Sequence, residues 1–86
     1  MISRGTRDFW ALYHALPPAV RGQARNAFLL FLDNPDHPSL RFKKLQGPWQ
    51  FWSVRFGNGY RAVCRRDGHT VVWLWIGTHQ DFDKAF

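Results

Sequence analysis

Two short glycine-bearing turns, Gly57-Asn58-Gly59 and Asp67-Gly68, divide the C-terminal half of this sequence into three runs of strand character: Trp49–Phe56, Tyr60–Arg66 and Thr70–Gly77. Glycine with asparagine or aspartate between such runs is a strong hairpin signal, because tight hairpin loops need backbone at positive φ. The half-chain is thereby directed into an antiparallel meander. Its last run is apolar on both faces, which marks a strand that is central or covered on both sides. Upstream, Leu40–Leu45 alternates apolar and basic residues, and Gly47-Pro48 makes another turn. Ser3 and Arg4 are too few to establish an N-terminal strand, though one could lie there.

Before the meander the period is helical. Thr6 suits the N-cap of a helix running to about Leu16, with Phe9, Leu12, Tyr13 and Leu16 as its buried stripe. Pro17-Pro18 breaks that helix and starts a second, in which Pro18 is tolerated in the first turn. The second helix turns Val20, Ala24, Ala27, Phe28 and Phe31 inward and Arg21, Gln23, Arg25 and Asn26 outward, and Asn34-Pro35 ends it. A helix hairpin followed by a meander predicts an α+β fold: an N-terminal helix hairpin packed on a small, mainly antiparallel twisted sheet.

At 86 residues there is room for one domain, 1–86, and the core of so small a domain must be efficient. Five Trp, eight Phe and two Tyr supply it, each burying roughly 150–250 Å² when packed. Nothing resembles a signal peptide or a spanning helix, since the apolar run from Thr70 to Gly77 is far too short. Cys64 has no cysteine to pair with, which fits a reducing compartment. The expected location is the cytoplasm, with no membrane contact.

Charge narrows the partner. Twelve Lys and Arg stand against six Asp, and glutamate is absent, giving a net charge of +6. Between Asp36 and Asp67 lie Arg41, Lys43, Lys44, Arg55, Arg61, Arg65 and Arg66 with no acid among them. Such a run is often a solvated face, but clustered cations repel one another unless an anionic partner uses them. Nucleic acid and an acidic protein are the candidates.

Register decides which of these side chains converge. If Gly57-Asn58-Gly59 is a three-residue loop, Phe56 faces Tyr60, Val54 faces Ala62, Trp52 faces Cys64, and Arg55 stands opposite Arg61 on the other face. A two-residue turn at Asn58-Gly59 would instead set Arg61 opposite Phe56. The three-residue loop is favoured because it separates apolar from polar cleanly. Like charges paired across strands are destabilising, so a retained pair points to an anion, and guanidinium forks suit a phosphate. His79 lies just past the last strand, where it can move a proton near neutral pH. His14, His37 and His69 have no ligand-like neighbours, and with one cysteine no metal site is expected. Trp49 and Phe51 share a face with Arg55, and Phe82 follows His79 closely; aromatics among cations suit an unstacked base over a gripped backbone, or ordinary rim packing.

Four stretches, Asn34-Pro35 through His37-Pro38-Ser39-Leu40-Arg41-Phe42-Lys43-Lys44-Leu45, Trp52-Ser53-Val54-Arg55, Gly59-Tyr60-Arg61-Ala62 and Ile76 through Lys84, resemble in order the RelE/ParE superfamily of toxins from type II toxin–antitoxin pairs. The resemblance spans essentially the whole chain. It implies a RelE-like two-layer fold and, for the RelE-like branch, an endoribonuclease that cuts mRNA in the ribosome without a cofactor or metal. There the neighbouring 2′-hydroxyl attacks the phosphate, and a cognate antitoxin masks the basic face. The ParE-like branch would instead bind and inhibit DNA gyrase with no nuclease site, and a third possibility is an inactive relative that only binds antitoxin. Carried onto this chain, Lys43, Lys44, Arg55 and Arg61 would hold the scissile phosphate, with Arg41 and Arg65 extending the RNA contact. His79 would transfer the proton and Phe82 would stack. Several relatives use a glutamate as base; its absence here leaves His79 or a lysine for that role. Many carry tyrosine where Phe82 stands, so stacking alone carries over.

Overall fold

The computed structural model describes residues 2–86. Along the chain run β1 (Ile2–Gly5), α1 (Arg7–His14), α2 (Pro18–Asp33), a 3-10 turn (Pro38–Leu40), β2 (Lys43–Lys44), β3 (Phe51–Phe56), β4 (Tyr60–Asp67), β5 (Thr70–Thr78) and α3 (His79–Ala85). One five-stranded sheet has the order β1-β5-β4-β3-β2. Only β1 is parallel to its neighbour; the other pairs are antiparallel. The predicted helix hairpin on a mainly antiparallel sheet is the observed architecture. No helix among the described residues is long and apolar enough to cross a membrane.

The helix boundaries follow from local chemistry. Thr6 Oγ1 accepts from the Phe9 N–H at 3.1 Å, a cap that contributes about 1 kcal/mol. Pro17-Pro18 separates α1 from α2, with Pro18 in the first turn of α2. Between the hairpin and the sheet lies a core of Phe9, Ala24, Phe31, Leu40, Val54, Phe56, Ala62, Cys64, Val71, Trp73 and Ile76. Phe31 is the pivot, meeting Phe42 and Trp73 edge-on at 5.0 and 5.4 Å. Two residues expected inward are exposed: Leu12, and Phe28, which lines an open concavity between the hairpin and the sheet.

β5 carries apolar side chains to both faces, and a bulge decides which residue goes to which face. Between Val63 and Cys64 the register shifts, so Val63 pairs with Trp75 and Cys64 with Trp73. Side chains alternate along a regular strand, and the extra residue, Leu74, changes the parity. Trp73 therefore meets Phe9 and Phe31 under the hairpin. Trp75 meets Phe82 and Phe86 on the opposite face. The Trp73 indole donates to Ser3 Oγ at 2.8 Å, tying β1 to the sheet.

Some boundaries differ from expectation. The alternating stretch 40–45 yields only Lys43–Lys44 as strand, because Leu40 closes the 3-10 turn and is buried there. Trp49 belongs to the turn, and β3 starts at Phe51. The segment after β5, too short to carry a periodic signal of its own, is a short helix, α3.

Candidate functional site

The face of the sheet away from the hairpin collects the cations. The three-residue loop is present, with Gly57 and Gly59 at φ +56° and +84°. Phe56 stands opposite Tyr60, and Arg55 opposite Arg61. Lys43 lies opposite Ser53, and Phe51 opposite Arg65. With alternation along each strand, Lys43, Arg55, Arg61 and Arg65 share this outer face. Lys44 pairs with Trp52, and the register directs it to the helix side. Arg66 also lies there, its guanidinium over the Trp52 ring at 5.1 Å. Arg41 follows the 3-10 turn, exposed and in left-handed backbone, outside the sheet. Of the residues expected to grip phosphate, the sheet thus brings together Lys43, Arg55, Arg61 and Arg65.

α3 closes one end of that face. Thr78 Oγ1 accepts from Asp81 N–H at 3.1 Å, starting the helix where β5 ends. The His79 N–H donates to the Gly59 carbonyl at 2.8 Å, fixing the helix start to the β3–β4 loop. Phe82 and Phe86, one helical turn apart, hold α3 down on Trp75 at 6.2 and 5.7 Å. Gly77 stands opposite Arg61, and a Cβ there would lie 2.8 Å from the Trp75 ring. Glycine is required for Trp75 to lean across its own strand.

These constraints place three side chains in a line. Arg61 Nε donates to His79 Nδ1 at 2.9 Å. His79 Nε2 faces Asp83 Oδ2 at 3.2 Å. A guanidinium has only donors, so Nδ1 accepts and the neutral ring carries its proton on Nε2, directed at the carboxylate. The Arg61 guanidinium also sits 5.0 Å from the Phe82 ring centre, and the His79 ring stacks on Phe82 at 6.4 Å and 16°. Phe82 is buried. It forms the floor under Arg61 and His79.

Asp83 is the member that sequence reasoning missed. The signal was available: Thr78-His79-Gln80-Asp81 has the pattern of a helix start, and a helix there puts Asp83 one turn beyond His79. On the same face Ser53 Oγ is fully buried and has no hydrogen-bond partner among the described residues. Burial pushes the Cys64 thiol up to about 12, with the Arg66 charge partly opposing; this thiol faces the core and takes no part in the site. Among the described residues no three of His, Cys, Asp and Glu are grouped to hold a metal. A concavity of about 350 Å³ lies between the hairpin and the sheet, lined by apolar residues such as Phe9, Trp10, Phe28 and Phe56.

A basic face with an Arg–His–Asp chain at its end can hold a phosphodiester and move a proton beside it. Residues 18–84 match the family model described as the ParE-like toxin domain. No curated protein matches the sequence. Among solved structures, the RelB–RelE antitoxin–toxin complex from Methanococcus jannaschii aligns with TM-score 0.75 and 14% identity, over 95% of this chain and 96% of that one. YafQ from Escherichia coli gives TM-score 0.75 and 10% identity, over 93% and 94%. The RelBE2 toxin–antitoxin complex from Mycobacterium tuberculosis gives TM-score 0.65 and 28% identity, over 90% and 88%.

Proposed function

The chain belongs to the ParE-like toxin domain family, and on that premise we propose that it is the toxin of a toxin–antitoxin pair that cuts mRNA on the ribosome. The observation that carries this reading is the chain from Arg61 through His79 to Asp83, set at the end of the cationic face. In the reaction the 2′-hydroxyl attacks phosphorus, its proton passes to His79 Nδ1, the P–O5′ bond breaks as O5′ takes a proton from water, and the imidazolium returns its proton to the hydroxide left behind. Arg61 releases Nδ1 when its guanidinium turns to the phosphate, so substrate binding itself frees the base. Asp83 holds the Nε2 proton and stabilises the imidazolium that forms. Arg55 and Lys43 add positive charge where negative charge develops. The chemistry needs no metal or cofactor.

The expected partner is an acidic, partly helical antitoxin that masks the basic face, and the place of action is the cytoplasm. Solved relatives of this fold include complexes with their antitoxins. Arg25, Phe28, Leu29 and Leu32 form an exposed basic and apolar strip on α2 that suits an acidic amphipathic segment.

The family name itself favours one alternative, a toxin that binds gyrase and has no nuclease site. Primer extension on a reporter mRNA, induced with and without translation of that message, separates the two. Translation-dependent cleavage that disappears in His79→Ala supports the nuclease. Intact message with collapsed DNA supercoiling supports the alternative and rejects the nuclease.

A further inference from the structure

We propose that Trp49, seated on Gly47 and stacked on Phe51, is a platform for an unstacked nucleobase of single-stranded RNA, next to the phosphate grip. The proposal rests on the RNA-cutting reading and adds a second subsite to it. Trp49 is 60% exposed, yet its ring is held. It lies on Phe51 with centroids 6.0 Å apart and planes at 22°. A Cβ on Gly47 would come within 2.5 Å of the indole, so the ring rests directly against the Gly47 backbone. The turn is built for this: Gly47 and Gln50 take φ of +120° and 58° on either side of Pro48-Trp49. The Leu45 N–H donates to the Phe51 carbonyl at 2.8 Å and closes it. Left-handed backbone at a residue with a side chain, such as Gln50, is uncommon and persists where surrounding structure enforces it.

A fixed, solvent-facing indole has already lost the freedom that binding would otherwise remove. Its neighbours select the ligand. Phe51 stands opposite Arg65 and two positions from Ser53, which faces Lys43. Arg55 is four residues further along β3, about 13 Å at strand rise. Aromatic surface beside cations suits a base whose backbone runs over the guanidinium and ammonium groups. The aromatic contact of Phe51 with Phe86 at 6.1 Å joins the platform to α3 and hence to the site's own floor. The base bound there belongs to a neighbouring nucleotide, not to the one being cut.

The test uses two short probes of equal length, an oligouridylate and its abasic ribose–phosphate counterpart, with binding read by fluorescence anisotropy at low salt. The His79→Ala chain serves as the common background so that neither probe is cleaved. Stacking on one aromatic platform predicts that this chain prefers the base-bearing probe by about 5- to 100-fold. Trp49→Ala should erase the preference and leave abasic binding unchanged, whereas Trp49→Phe should retain most of it. Gly47→Ala, which unseats the ring without removing it, should act like Trp49→Ala. Circular dichroism melts confirm that each variant is folded. A preference that survives Trp49→Ala overturns the platform, as does an equal loss for both probes. Loss of antitoxin binding with the base preference intact assigns the ridge to a protein partner and overturns it too. Failure of both probes to bind the background chain rejects the RNA reading itself, which the abasic probe reports independently of Trp49.

Discussion

Replacing Asp83 with Asn removes one charge from the line of Arg61, His79 and Asp83 and leaves its size unchanged. The carboxylate lies 3.2 Å from His79 Nε2, with the two side chains 47% and 61% exposed. An exposed charged contact of this kind contributes roughly 0.5–1 kcal/mol, about two- to fivefold in rate. A second effect adds to it. The asparagine amide can donate to Nε2, which moves the ring proton to Nδ1, where it meets the Arg61 N–H donor. The combined loss should be about five- to tenfold in single-turnover cleavage of a translated message. His79→Ala should lose about 10²–10⁴-fold. The decisive measurement is the double variant. If Asp83 acts only by holding the imidazole, Asp83→Asn adds nothing once His79 is gone, and the coupling equals the full single-variant effect. α3 should persist, because removing a carboxylate from the second half of a helix is mildly favourable to its dipole. Independent, multiplicative losses from the two substitutions would refute the relay, as would Asp83→Asn cleaving at the wild-type rate.

The remaining expectations test other levels of the structure. Lys43→Ala should make the salt dependence of RNA binding shallower by about 0.7 in log–log slope, the value of one single-strand phosphate contact, while Lys44→Ala, turned to the helix side, should leave the slope nearly unchanged. Phe31→Ala empties the centre of the core and should cost about 3–5 kcal/mol, lowering the melting temperature by at least about 12 °C in a domain of this size. Cys64 should resist alkylation in the native protein and react at the rate of unfolding. Its thiol has an ordinary value of 9.0 when unfolded and is raised to about 12 when folded, so above pH 9 the unfolded chain binds fewer protons and stability falls as pH rises toward 12. Alkaline melts of Cys64→Ala should lack that portion of the decline.

The sheet was legible where each strand carries its own period and its own turn. Gly57-Asn58-Gly59 and Asp67-Gly68 delimit β3, β4 and β5 to within two residues, and the separation of apolar from basic positions selects the register that pairs Arg55 with Arg61. β1 was not legible, because its partner is distant: Ile2 pairs with Thr70, and four residues joined in parallel leave no local signature. The bulge was hidden for a related reason. Trp73 and Trp75 look like two residues of one face, and only the shift opposite Val63 and Cys64 sends them to opposite sides. The apolar character of both faces of β5 was nevertheless correct, since it reflects that outcome rather than the device.

α3 marks the limit of periodicity as a guide and explains what was missed in the site. A seven-residue helix offers barely two turns, too few for a repeat to stand out from a loop. Its existence depends on Phe82 and Phe86 finding Trp75, and Trp75 is available only because the bulge turns it outward. The position of Asp83 beside His79 therefore depends on a chain of tertiary events that begins at Val63 and Cys64. His79 alone was recognisable as a residue able to move a proton near the basic strands. What gives it a defined tautomer, Arg61 on one nitrogen and Asp83 on the other, is built by packing on the far side of the sheet. In a chain without glutamate, that packing lets an aspartate on α3 orient the histidine to which the proposed reaction assigns the proton.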